Sequence, residues 1–321
     1  MLTALVGETK ISAVDDDANT SPEPSRHSNL LLALPTHLWR HVLTFHGYKD
    51  HTLAGRACQY LKRLWREALH NHQIAGTLFV PGHCNTLKET VDRVHGDDRL
   101  TTIVVGKGEH QIDGDYLVVA SAMNIVGDPG VPKSEIVVVG GIQFKRGIQG
   151  NCHLHHMTLR RANYSGVWGL SSFTMEDVLV EQCGGYGVCA GGTGVVGRCT
   201  NVEVRQCEFS GVVAANGASV TLIGTKTTVH HNCTVYGSSS SWHYGLTVYG
   251  CSSSTIQLVS PLTKEQVSLD NGGGGNWGAF TGGDIKQIKT IAPLNASMKK
   301  SPVSFCFVLF LLSSLLLITV L

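Results

Sequence analysis

Apolar residues recur in fixed columns through the middle of this chain. Residues 151–166, 172–187 and 196–211 align without gaps, and a looser fourth copy runs through His230-His231-Asn232-Cys233 to Gly237. Leu154, Met175 and Cys199 share one column, Met157, Val178 and Val202 a second, and Leu159, Val180 and Val204 a third. Small and medium apolar groups recurring this way are inward positions. Between the first two columns each copy carries two polar residues, His155-His156, Glu176-Asp177 and Thr200-Asn201. Two consecutive outward residues break the period of two that a straight strand keeps, so they mark a bend.

The step between copies is 21 residues from Ala162 to Cys183, 24 on to Cys207 and 26 on to Cys233, the length of one coil of a β-solenoid. Just past the third column stand Arg160, Glu181 and Arg205. In parallel, in-register coils these would stack as alternating charges about 4.8 Å apart. The copies are rich in Gly, Val, Thr and Cys, which are poor helix formers. The expected fold is therefore mainly β, a right-handed parallel β-helix of roughly eight coils over residues 101–292.

Other periodicities frame this domain. Leu87, Thr90, Val91 and Val94 have helical spacing and end at Gly96-Asp97-Asp98. Within a linker over 76–100, they predict a helix that covers the open first edge of the solenoid, which would otherwise invite association. Strand-like runs at 102–105, 116–119, 124–126 and 136–139 supply the first coils. Beyond a Ser-rich stretch at 238–241 and Trp242-His243, runs at 244–248, 255–258 and 285–291 supply the last ones.

Residues 1–29 have the polar, Pro- and Asp-containing composition of a disordered leader. Residues 30–75 are helical in pattern. One stripe is Leu38, Val42, Leu43 and Phe45; a second is Ala57, Leu61, Leu64, Trp65, Ala68 and Leu69. Residues 293–300 are a linker, and 301–321 hold a hydrophobic segment of about 19 residues, relieved only by Ser and Thr, behind Lys299-Lys300, long enough for a membrane-spanning helix. The start of the chain lacks the basic n-region of a secretory signal. The plain expectation is a C-terminal membrane anchor with the bulk of the chain in the cytosol. The alternative is the cell surface, through a lipid-anchor signal at Asn295-Ala296-Ser297.

Composition removes several functions. Of 321 residues 15 % are charged, the net charge is +1, and no basic stripe exists, so no nucleic-acid partner is expected. Cys183, Cys207 and Cys233, three of ten cysteines, fall in one repeat column and read as small buried hydrophobes. With no C-x-x-C pair a zinc site is not expected. His230, His231 and His243 are read as solvated turn residues rather than metal ligands. No cofactor is implied.

Acids are sparse in the repeats. Glu176-Asp177 is the one adjacent pair, flanked by His155-His156 on the coil before. His156, Asp177 and Glu176 are the candidates for general acid/base chemistry. The other reading of the same residues is a corner ladder, with His156, Asp177 and Asn201 satisfying one another along the stack, and the charge of Asp177 raising the pKa of His156. A calcium-dependent lyase or a paired-acid hydrolase would need more carboxylates.

Leu34-Pro35, then Leu38, Val42-Leu43 and Phe45, then Asp50 and Leu53, then Ala57-Cys58 and Leu64-Trp65 resemble an F-box. That resemblance implies docking on the adaptor of a cullin-type ubiquitin ligase, with Leu34, Pro35, Leu38, Trp39, Val42, Leu43 and Trp65 as the contact residues. Residues 103–116, with the helix before them, resemble the first coil of pectate-lyase-like β-helices. The combination over 30–292 is similar to uncharacterised β-helix proteins of marine algae and large viruses.

The function expected is recognition: a receptor that links a protein or glycan ligand on the β-helix to ubiquitin-ligase machinery. The alternatives are a carbohydrate-binding or carbohydrate-active β-helix at the cell surface, which sequons at Asn163 and Asn232 would suit, and a structural scaffold.

Overall fold

The computed structural model describes residues 76–235 and 242–293. The expectations for the leader, the F-box-like head with Leu34, Pro35, Leu38, Trp39, Val42, Leu43 and Trp65, and the C-terminal tail lie outside the described residues. Among the described residues no helix is long and apolar enough to cross a membrane.

The chain begins with β1 (Thr77–Val80) and helix α1 (Leu87–Gly96). It continues through β2 (Thr102–Val105), β3 (Gly108–Val119), β4 (Asn124–Gly127), β5 (Ile136–Phe144), β6 (Cys152–Arg160) and β7 (Val167–Gly169). Next come β8 (Phe173–Glu181), β9 (Val188–Gly191), β10 (Val196–Thr200), β11 (Glu203–Arg205), β12 (Val212–Ala215), β13 (Ser219–Ile223) and β14 (Thr228–His230). The last elements are β15 (Leu246–Tyr249), β16 (Thr255–Val259), the one-turn helix α2 (Lys264–Val267), β17 (Ser268–Leu269), β18 (Trp277–Phe280) and β19 (Ile288–Ile291).

Every pairing is parallel, and each strand pairs with the strand one turn away, which makes a β-solenoid with three faces. The first face holds β1, β2, β4, the first halves of β6 and β8, then β10, β13, β16 and β19. The second holds the first halves of β3 and β5, the second halves of β6 and β8, then β11, β14 and β17. The third holds the second halves of β3 and β5, then β7, β9, β12, β15 and β18. Because β3, β5, β6 and β8 each serve two faces, the first face stacks nine strand segments and the other two seven each, which makes at least seven turns.

The aligned columns are the observed register. Met175 pairs with Leu154 on one side and Cys199 on the other, Val180 with Leu159 and Val204, and Glu181 with Arg160 and Arg205. All six apolar residues are buried in one continuous core. The charge stack also forms. Glu181, only 3 % exposed, receives Arg160 Nε at 2.6 Å and Arg205 Nη2 at 2.7 Å. Burial alone would raise its carboxyl pKa, and hydrogen bonds from the two guanidiniums outweigh it, so the carboxyl stays below its usual range.

Many of the bends carry residues in the left-handed region. At the first corner these are His156, Asp177, Asn201 and Gly224; at the second, Arg161, Gln182, Gln206, His231 and Asp270; at the third, Gly192, Asn216, Gly250 and Thr281. Asn, Asp and His tolerate this conformation better than most side chains. The polar pairs thus divide their work: the first member points outward from the strand, and the second turns the chain.

The fourth copy sits one residue earlier than the alignment predicts. Arg205 pairs with His230, so Asn232, not Cys233, follows Cys207 in the column, and Asn271 follows Asn232. The reason is hydrogen bonding. Asn232 is 1 % exposed, accepts the Cys207 N–H at 3.1 Å, and donates to the carbonyls of Val204 and His230 and to Asn271 Oδ1. A thiol has no such set of strong donors and acceptors.

Helix α1 packs its apolar face on the first turns. Thr86 caps it by accepting the Glu89 N–H at 3.1 Å. Leu87, Val91 and Val94 join the core beside Val80, Ile103 and Val105.

Candidate ligand-binding groove

The third face carries a groove because of what its strands place outward. Trp168, Cys189, Val213, Thr247 and Gly278 occupy one in-register outward row; Gly191, Ala215, Tyr249 and Phe280 occupy the next. The middle of both rows is small. Cys189, Val213 and Ala215 form a shallow floor packed against Tyr186. Large rings stand only at its ends, so the face is concave there, enclosing about 730 Å³.

One wall is built by the loops that enter this face. Each repeat ends with a glycine, Gly166, Gly187 or Gly211, and an aromatic residue precedes it by one or two positions: Tyr164, Tyr186 and Phe209. Successive loops are tied by backbone bonds, Gly184 N–H to Ala162 O at 2.8 Å and Phe209 N–H to Gly185 O at 3.0 Å. The loops therefore bring their rings to one side of the face. Phe209 lies against His243 with centroids 4.6 Å apart and planes 9° apart, and Tyr186 meets Phe209 edge-on at 5.8 Å.

At the end nearer the N-terminus, Tyr116 lies within 6.2 Å of Tyr164 and 5.7 Å of Trp168. Its ring crosses the intervening coil over Gly141, where a Cβ would stand 2.8 Å from the ring, and its hydroxyl accepts the Ser165 N–H at 3.0 Å. At the other end Trp242 meets Phe280 edge-on at 4.7 Å, and Phe280 stacks on Tyr249 at 5.6 Å. Tyr164 and Trp242 are each 55 % exposed. So much aromatic surface left in water on one concave face is uncommon unless something binds it.

The electrostatics are nearly neutral. Asp115 and Arg146 are the two charged lining residues, and among the described residues no hydrogen bond or ion pair engages either. Burial lowers the pKa of His243, which keeps the ring uncharged at neutral pH. Burial likewise raises the Tyr116 phenol, against the Ser165 hydrogen bond.

The acid/base candidates lie elsewhere, at the corner between the first and second faces. His156 Nδ1 is 2.7 Å from Asp177 Oδ2, and Lys133 Nζ is 2.8 Å from Asp177 Oδ1. His156 Nε2 faces the Val131 carbonyl at 2.9 Å. Both ring nitrogens meet acceptors and both carboxylate oxygens meet donors. The pair fastens the loop before β5 to the corner. Its hydrogen bond to Asp177 raises the His156 pKa against the effect of burial. Burial would raise the Asp177 carboxyl, yet bonds from His156 and Lys133 hold it well below the usual range. Glu176 is half-buried on the strand beside His155 and Thr200. Asn201 leaves the expected His–Asp–Asn stack and accepts the Lys226 N–H at 3.4 Å.

His230 and His231 adjoin at the second corner with their Nδ1 atoms 2.7 Å apart, whereas His243 lies in the groove. Among the described residues no three His, Cys, Asp or Glu side chains converge as a metal site. Of the two sequons, Asn163 is exposed and Asn232 is a buried rung that cannot accept a glycan. The aromatic wall escaped the sequence reading although it stood in the alignment, just before each closing glycine.

No protein-family model, curated protein or solved structure matches the chain.

Proposed function

We propose that this protein is a recognition protein whose β-solenoid holds an extended glycan in the groove of its third face. The observation that carries this reading is the convergence of eight aromatic side chains and His243 on one open, nearly neutral groove that runs across successive coils. Aromatic faces bind the C–H faces of sugar rings, and an open groove along a solenoid axis suits a chain better than a single sugar. Backbone groups of the third-face strands are spent on neighbouring coils, so the face offers no edge for strand addition by a peptide.

The resemblance to pectate-lyase-like β-helices supports the same ligand class. Catalysis is not part of the proposal, because the groove pairs no two carboxylates and the His156–Asp177 pair is committed to its corner. The F-box-like head completes the reading as a receptor: residues 30–75 would dock on a cullin-type ubiquitin ligase adaptor through Leu34, Pro35, Leu38 and Trp39. The apolar stretch within 301–321 would hold the assembly at a membrane.

The test is an array of glycans and Pro-rich peptides probed with the full-length protein. Binding of glycans supports the proposal. Binding of Pro-rich peptides alone, the other ligand that aromatic grooves recognise, would contradict it. The head is tested separately, by adaptor recovery from eukaryotic cytosol and its loss on Leu34→Ala with Pro35→Ala.

A further inference from the structure

We infer that the glycan bound in the groove is uncharged and presents equatorially substituted sugar rings, as β-1,4-linked neutral chains do; this inference rests on the glycan reading above. The charge inventory is the first ground. An acidic polysaccharide carries a negative charge on every or every second sugar. The groove offers it one guanidinium, Arg146, and opposes it with one carboxylate, Asp115. His243 adds no positive charge, since it is stacked on Phe209 in its neutral form. Several anions brought against these apolar rings would lose hydration without gaining partners, which disfavours the charged form.

Length and shape are the second ground. The row from Trp168 to Gly278 spans four coil steps, about 19 Å at the spacing of neighbouring strands. That is room for several consecutive sugars, with a ring platform at each end and small side chains between. Flat chains with equatorial hydroxyls expose unbroken C–H faces that rest on such platforms. An axial hydroxyl on the stacked face lifts the sugar off the ring and leaves a polar group facing it.

Trp168 and Trp242 report binding directly, because both stand at the groove. The experiment titrates the full-length protein with a neutral β-1,4-linked hexasaccharide (cellohexaose or xylohexaose) and with hexagalacturonate, following tryptophan fluorescence at low and high salt. The expected result is saturable quenching by a neutral chain, with an affinity that changes less than about twofold with salt. Hexagalacturonate should bind at least about tenfold more weakly. Tight, salt-sensitive binding of hexagalacturonate that Arg146→Gln abolishes would overturn the inference and leave the glycan reading standing. Failure of every chain to bind a folded protein would remove both.

Discussion

His156 illustrates how a residue with catalytic credentials becomes a fastener. Its type and its neighbour Asp177 were legible in the repeat alignment, and so was the rise in its pKa. What the alignment did not carry was the partner of the second nitrogen, the carbonyl of Val131, 25 residues away on a loop with no repeat signature. The sign of the consequence is definite. Because the folded-state pKa lies above the ordinary 6.5, the bond contributes its full stability below about pH 6.5 and loses it as pH rises through the raised value. Asn tolerates the same left-handed backbone, φ 56° here. His156→Asn should therefore lower the melting temperature most at pH 5 to 6 and progressively less towards pH 9. A difference that stayed constant over this range would show that the bond to Asp177 is not charge-assisted.

At the scale of the coil, the alignment was reliable wherever apolar side chains decide the register, because a slip of one residue would turn the whole inward set to solvent. It failed in the fourth copy, where a polar side chain decides it. Asn232, buried, and Asn271, half-buried, form a two-rung ladder that bonds carbonyls at the second corner, and an apolar column does not reveal such a preference. The second corner was equally hidden, since Arg161, Gln182 and Gln206 bend the chain without the glycine that usually announces a positive φ. The ladder makes a quantitative prediction. Asn232→Ala leaves the Cys207 N–H and the Val204 carbonyl without their partner and should cost about 3 kcal/mol by urea denaturation. Asn163→Ala, at an exposed turn, should change stability by no more than about 0.5 kcal/mol. Equal effects from both would mean that the buried amide contributes nothing specific.

For the whole molecule, repetition made the solenoid legible and concealed its groove. The inward columns repeat, and the groove lies where the outward rows break repetition: small outward residues at Cys189, Val213 and Ala215, flanked by rings at Trp168, Tyr249 and Phe280. The same logic separates the two kinds of residue in each repeat, since the closing glycine serves the fold and the ring before it serves the surface. Ala215 provides the most direct test of the groove, because its side chain points into the floor while the core lies on the other side of the strand. Ala215→Trp should fill the groove without removing any group that a ligand would touch. Calorimetric titration of a bound glycan into the wild-type protein and this variant is the decisive measurement. A loss of affinity of at least about tenfold at an unchanged melting temperature is predicted. Equal affinity in the two proteins would show that the ligand binds elsewhere and would contradict the account.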